Sequence, residues 1–288
     1  MESISRRAYA KINLCLDVTG RLENGYHLVR MIMQSVDLFD ELRFEKTEGE
    51  IVITSSREDL SVGEDNLIYK AAALMKEKFG IQGGVKVSLK KNIPMAAGMA
   101  GGSSDAACTL KAMNELYDLG LSEEALREIG VKIGADVPYC IMGGTALSEG
   151  IGEILTKLPP MPDCVLLLAK PEVGVSTKYV YEQLDSHEIP SHPDVDGMLG
   201  ALEKGDLAGI TARLSNVLET VTVEKHEVVG QIKRVMLEGG AMGSLMSGSG
   251  PTVFGIFENA EKARQAGENV RELGLAKDVF VTAPTRPQ

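Results

Sequence analysis

Two charged residues and one uncharged loop are the parts of this chain whose types could do chemistry together. Lys11 sits among apolar neighbours, and Asp136 sits in Gly134-Ala-Asp-Val-Pro138. Taken singly, each has an ordinary reading: a solvated edge charge, and a turn or cap residue. As a pair they match what phosphoryl transfer to an alcohol requires. An acid accepts the hydroxyl proton, and a cation holds that acid or the transferred charge. The loop runs Pro94-Met95-Ala96-Ala97-Gly98-Met99-Ala100-Gly101-Gly102-Ser103-Ser104 and carries no charge until Asp105. Small residues let a ligand approach the backbone closely. Successive backbone N–H groups then form an anion site, and a helix N-terminus behind them adds positive partial charge. The loop reads as a phosphate cradle. It is not the P-loop pattern, because no Gly-Lys-Ser/Thr ending follows, and it is not the G-x-G-x-x-G pattern.

The elements around these residues can be read from periodicity. Ile12, Leu14, Leu16 and Val18 alternate onto one face of a strand, which puts Lys11 and Asn13 on the other. Asn24-Gly25 is a turn signal, followed by Tyr26 and His27. Met31 to Val36, Glu41 to Phe44 and Glu50 to Thr54 read as further strands. Asn66 to Phe79 reads as a helix, and Val85 to Lys91 as the strand that delivers the chain to Pro94. Ala106, Leu110, Met113 and Tyr117 make one helix face after the loop. Ser103 or Ser104 is the expected cap, with Asp105 in the first turn. A second helix starts at Ser122 and ends near Gly134.

Three prolines in Leu158–Asp163 mark the best domain boundary. Beyond it come a buried strand from Cys164 to Ala169 and helices at Thr177–Leu184, Val195–Glu203, Leu207–Leu214 and Val223–Leu237. A second glycine-rich stretch, Gly239 to Thr252, leads into the strand Val253–Phe257. A helix at Ala260–Leu273 and a strand at Asp278–Thr282 follow. The expected class is α+β in two domains, residues 1–158 and 163–288.

Composition narrows the function class. The chain has 288 residues and a net charge of −11, which argues against a general nucleic-acid binder without excluding a nucleotide. No apolar run is long enough for a membrane span, and the start lacks a secretory apolar core, so a cytoplasmic protein is expected. Cys15, Cys108, Cys140 and Cys164 are widely spaced and read as free thiols. His187, His192 and His226 lack metal-ligand spacing and read as surface residues.

Pro94-x-x-x-Gly98-x-x-Gly-Gly-Ser-Ser-x-Ala-Ala is similar to the phosphate-binding signature of the GHMP small-molecule kinases, and the Gly-Ser-Gly-Pro-Thr252 stretch resembles that family's second glycine motif. Ala-Lys11-Ile-Asn-Leu, Asn-Gly-Tyr-His27, Asp65-Asn-Leu67 and Gly134–Pro138 together resemble the branch that phosphorylates a cytidine diphosphate sugar-alcohol in non-mevalonate isoprenoid precursor biosynthesis. The resemblance runs from about Ala8 to Phe257. It implies a two-domain GHMP kinase fold, with an N-terminal domain like ribosomal protein S5 domain 2 and a GHMP C-terminal domain. It further implies ATP and Mg²⁺ as cofactors, with phosphates on Pro94–Ser104, Asn66 and Lys91 helping to hold ATP, and Ser104 as a metal-ligand candidate. Lys11 and Asp136 would be the catalytic pair. Asn13 would hold substrate, and Tyr26, His27, Thr177 and Tyr181 would line the cytosine end. No nucleic acid or membrane partner is implied, and the protein is expected as a monomer or homodimer. Departures are small: Tyr9 stands where Pro is frequent, the loop has alanines and methionines where glycines and Leu are frequent, and Tyr181 stands where some relatives have Phe. The alternatives left open are another GHMP kinase, such as a homoserine or mevalonate kinase, and a nucleotide-binding regulator without catalysis.

Overall fold

The structure is a computed structural model in which residues 2–186, 189 and 191–285 are described. His187 lies outside the described residues. The chain opens with β1, Ser3–Arg21. Its Ile12, Leu14, Leu16 and Val18 are buried as the alternation requires, but Lys11 and Asn13 on the other face are buried too. Lys11 is therefore an interior group, not a solvated edge charge. One strand, β2 at His27–Thr47, runs where two are expected. The polar residues between the two apolar runs find partners outside the strand: the Asp37 N–H bonds the Ala283 carbonyl, and the Asp40 carboxylate accepts the backbone N–H groups of Asn92 and Ile93.

Next come β3 at Ile51–Ser55, α1 at Leu67–Phe79, β4 at Gly84–Lys90 and α2 at Gly101–Leu116. Asn66 caps α1 by accepting the Ile68 N–H, and Gly80 ends it at φ 63°. Capping of α2 departs from expectation. The helix starts at Gly101, so Ser103 and Ser104 lie inside it and Asp105 falls beyond the first turn. Ala100 holds the N-cap position in the left-handed region, and no side chain closes the helix end. The chain continues with α3 at Glu123–Val131, α4 at Val137–Met142, β5 at Thr145–Glu149 and β6 at Ile154–Lys157.

The proline-rich Leu158–Asp163 stretch has no helix or strand. After it come β7 at Val165–Lys170, α5 at Thr177–Leu184, α6 at Val195–Glu203, α7 at Leu207–Thr211 and β8 at Ser215–Asn216. The helix expected at Val223–Leu237 is two, α8 at Glu219–Lys225 and α9 at Glu227–Glu238, because His226 between them is extended at φ −131°, ψ 80°. Then follow β9 at Gly243–Met246, β10 at Val253–Phe257, α10 at Ala260–Glu272 and β11 at Asp278–Thr282.

The described chain forms two compact units, each discontinuous in sequence. The first holds Met1–Ala10, Leu38–Met95 and Ala100–Gly143; the second holds Lys11–Asp37, Ala96–Met99 and Gly144–Gln288. In the first, β3 pairs parallel with β4, and β4 pairs antiparallel with Glu41–Thr47 of β2. Helices α1 and α2 cover this sheet with Ile68, Ala71, Met75, Leu110 and Met113 packed against Leu42, Phe44, Val85 and Val87. Each large apolar side chain so buried contributes about 1.5–3 kcal/mol, which makes this layer the anchor of α2. In the second, β8 pairs parallel with β1 at Cys15–Leu16, and β5 pairs antiparallel with β2 at Met31–Gln34. That pairing draws β5 and β6 into the second unit, so the units divide the chain differently from a cut at Leu158–Asp163. A separate sheet, in the order β11-β7-β10-β9, is backed by α9 and α10. Mixed sheets with helices on them make this an α+β protein, as the sequence pattern indicates.

Candidate active site

The glycine loop starts where β4 ends. Its backbone is left-handed at Ala96 (φ 49°), Gly98 (φ 72°) and Ala100 (φ 55°). Repeated excursions into this region are the backbone pattern from which anion-binding loops are built. At Gly98 a methyl group would collide with the Ser247 carbonyl oxygen, so only glycine fits. At the loop's far end the first N–H groups of α2 have no side-chain cap and no acid in the first turn. A 16-residue helix with an uncapped, glycine-built start offers donors and a dipole to an anion. Phosphate groups fit this end, and a capping carboxylate would have filled it.

In the first unit, Asp136 stands at the start of α4 without capping it, and its carboxylate has no hydrogen-bond partner among the described residues. A methyl group on neighbouring Gly134 would lie 3.9 Å from Ser103 Oγ, so the Asp136 turn adjoins the open end of α2. Pro138 within the first turn of α4 fixes that backbone. Asn66 is occupied: its Oδ1 accepts the Ile68 N–H at 2.8 Å and its Nδ2 donates to the Ser61 carbonyl at 2.6 Å. The Lys91 ammonium is turned inward, 2.5 Å from Asp40 Oδ2 and 2.6 Å from Asp105 Oδ2, with its side chain 4 % exposed. Burial alone would lower its pKa; the Asp105 and Asp40 carboxyls outweigh that and raise it. Burial, helped by neighbouring Asp40, pushes Asp105 well above the usual carboxylate range despite Lys91. Ser104 is buried, and its hydroxyl donates to the Tyr9 carbonyl at 2.7 Å. Among the described residues no three His, Cys, Asp or Glu side chains gather as a metal site.

In the second unit, Lys11 Nζ donates to Asn13 Oδ1 at 2.7 Å and to the Gly98 carbonyl at 3.0 Å. Ser247 Oγ donates to the same Gly98 oxygen at 3.0 Å. The second glycine-rich stretch thus packs on the first, and Gly248 lets it come close: a methyl group there would sit 3.3 Å from Lys11 Nζ. Asn216 holds this turn by donating to the Met246 and Gly248 carbonyls. Thr177 and Ser249 share a hydroxyl hydrogen bond of 2.8 Å, which ties α5 to the same turn.

The rings of His27 and Tyr181 meet at 4.8 Å between centroids, tilted by 35°. Asp185 Oδ1 lies 2.6 Å from His27 Nε2, and a carboxylate only accepts, so Nε2 carries the hydrogen. Arg21 pairs with the other oxygen at 2.9 Å. Tyr26 follows a turn in which its N–H bonds Asn24 Oδ1, and it is 59 % exposed. Asn216, Asp185 and Asp40 are single polar residues with no local pattern in the sequence to distinguish them, whereas Ser247 belongs to the second glycine-rich stretch. The buried thiols of Cys15 and Cys108 are pushed up to about 12 by burial, which makes them inert as nucleophiles.

Residues 66–144 match the model of the GHMP kinases N-terminal domain, and residues 198–275 that of the GHMP kinases C-terminal domain. The chain is 52% identical, over 100% of both sequences, to 4-diphosphocytidyl-2-C-methyl-D-erythritol kinase of Lachnospira eligens. Its fold is similar to the crystal structure of a 4-(cytidine 5'-diphospho)-2C-methyl-D-erythritol kinase, with a TM-score of 0.82 and 32% identity over 98% of this chain and 99% of that one. A homoserine kinase from Cytophaga hutchinsonii shares the fold at a TM-score of 0.78 and 21% identity, covering 100% of this chain and 96% of the other.

Proposed function

The chain belongs to the GHMP kinase family, and we propose that it transfers the γ-phosphoryl group of ATP to the 2-hydroxyl of 4-diphosphocytidyl-2-C-methyl-D-erythritol. That step belongs to non-mevalonate isoprenoid precursor biosynthesis. The observation that carries the kinase reading is the uncapped start of α2 behind a left-handed glycine loop. The full-length likeness to relatives named for this substrate supports the choice of alcohol.

Phosphoryl transfer asks the protein mainly for positioning and charge stabilisation. Backbone N–H groups within the Pro94–Ser104 loop, between Met95 and Ser103, receive the phosphates. Asp136, whose carboxylate is not used as a cap, accepts the proton of the 2-hydroxyl as that oxygen attacks the γ-phosphorus. The bond from the γ-phosphorus to the bridging oxygen breaks, and ADP leaves. Lys11 supplies a cation for the transferring charge, and Asn13 aims it. Mg²⁺, when bound with the nucleotide, neutralises phosphate charge. Ser104 is the candidate protein ligand, through lone pairs its hydroxyl keeps while donating to Tyr9. Asn66 and Lys91 have occupied side chains and serve the nucleotide site through the backbone they hold. Tyr26, His27, Thr177 and Tyr181 receive the cytidine end. Residues 1–158 carry ATP binding and catalysis in this reading, and 163–288 complete the substrate site.

ADP release over a panel of alcohols tests the assignment. Turnover with the cytidyl substrate supports it. Turnover confined to homoserine or mevalonate transfers the chain to another branch of the family, and ATP binding without ADP release leaves a regulator.

A further inference from the structure

We propose that Asp40 is a positioning residue for the phosphoryl donor, a buried clamp that holds both ends of the glycine loop's first-unit framework. The inference rests on the reading of Pro94–Ser104 as the ATP phosphate cradle. Asp40 lies on β2 and is fully buried. Its Oδ1 accepts the backbone N–H groups of Asn92 at 2.6 Å and Ile93 at 2.8 Å, the two residues before Pro94. The Asn92 side chain adds a bond to the Phe39 carbonyl at 2.8 Å. The entry limb of the loop is thereby fixed to β2 at three points.

The exit limb is fixed through Lys91. Asp40 Oδ2 accepts from Lys91 Nζ, and the same ammonium donates to Asp105 in α2. Gly101, the first residue of α2, packs so closely that a methyl group on it would lie 3.0 Å from Ile93 Cγ2 and 3.1 Å from Lys91 Nζ. One carboxylate therefore references the entry turn and the open helix end to each other.

Stability alone is a poor reason for this arrangement. Apolar side chains of similar volume commonly serve a core at least as well as a buried ion cluster. This cluster also leaves Asp105 Oδ1 buried without a hydrogen-bond partner, a further cost. Backbone placement is what the polar groups add: two loop N–H groups that could have pointed at ligand or solvent are committed to Asp40, so the remaining loop donors have a defined origin.

The test compares full-length Asp40→Ala and Asp40→Asn with Met75→Ala, a core truncation in the same unit outside the clamp. Three readouts are ATP affinity by calorimetry, amide exchange at Asn92 and Ile93, and the Michaelis constants for ATP and for the alcohol. Loss of charged hydrogen bonds at the entry turn is expected to weaken ATP binding in Asp40→Ala by about 10-fold or more and to speed exchange at both amides. The alcohol's constant stays within about twofold, and Met75→Ala melts earlier with ATP affinity within about twofold of wild type. Asp40→Ala that melts earlier but binds ATP like wild type overturns the proposal. If Asp40→Ala does not fold, Asp40→Asn decides: it keeps an acceptor for both amides but removes the negative charge and the acceptor that face the Lys91 ammonium, so the tie to the helix end is lost, and wild-type ATP affinity in it overturns the clamp. ATP affinity and exchange do not depend on the alcohol, so a wrong substrate assignment leaves these outcomes intact.

Discussion

Lys11 and Gly98 are joined by a hydrogen bond of 3.0 Å from the ammonium to the loop carbonyl. Asn13 takes a second donor of the same ammonium, and Ser247 donates to the same carbonyl. Lys11 is thus held by the loop it is proposed to serve, with one N–H left for a ligand. Lys11→Met is expected to lower kcat by about 10²-fold or more, the usual loss when an aimed donor to developing charge is removed. Lys11→Arg should not rescue it, because a planar fork cannot replace a compact ammonium in this packing. Steady-state kinetics on both variants check this.

The left-handed loop positions give opposed outcomes for glycine and alanine. Gly98→Ala drives a methyl group into the Ser247 carbonyl and is expected to lose about 2–4 kcal/mol of stability together with most activity. Ala100→Gly relieves an alanine at φ 55° and is expected to gain about 0.5–1 kcal/mol, the steric relief being partly offset by a freer unfolded chain. Urea unfolding of the two variants measures both signs.

Those alanines also show what the sequence could tell. The small-residue loop before α2 and most elements are legible because they rest on local spacing and small-residue density. That Ala96 and Ala100 carry positive φ is not, since alanine gives no signal for that backbone. The start of α2 differs from expectation for a related reason: Ser103 looks like a cap, yet the helix already begins at Gly101, and Ala100 at its cap position has no side chain that could close it. The break at His226 and the single long β2 depend on tertiary partners that periodicity does not carry. Asp40 and Asp185 act through residues 51 or more positions away, so no short window contains them.

Asp105 makes stability depend on pH. Its folded pKa is raised, so the folded state holds a proton that the unfolded chain releases between the ordinary carboxylate value and the raised one. Stability therefore falls as pH rises through that window, and Asp105 is most favourable below the ordinary carboxylate pKa. Asp105→Asn mimics the protonated acid beside Lys91 and is expected to flatten that part of the stability–pH curve. Chemical denaturation of wild type and variant from acid to neutral pH compares the slopes; equal slopes would assign the pH dependence elsewhere.

Tyr181 stacks near His27, and a pyrimidine against such a ring gains about 1–3 kcal/mol. Tyr181→Ala is expected to raise the Michaelis constant for the cytidyl substrate by roughly 10-fold and leave that for ATP alone, whereas Tyr181→Phe keeps the ring and stays near wild type. Asp185 should reinforce the pair, because it fixes the His27 ring through Nε2.

Phosphorus NMR of the product formed from ATP and 4-diphosphocytidyl-2-C-methyl-D-erythritol, with ADP followed in parallel, is the most direct measurement. The expected result is one ADP per product, an intact diphosphate, and a new phosphomonoester on the tertiary 2-oxygen, formed about 10²–10⁴-fold more slowly by Asp136→Asn. No ADP with this substrate, or a phosphate on a different hydroxyl, would contradict the proposed reaction.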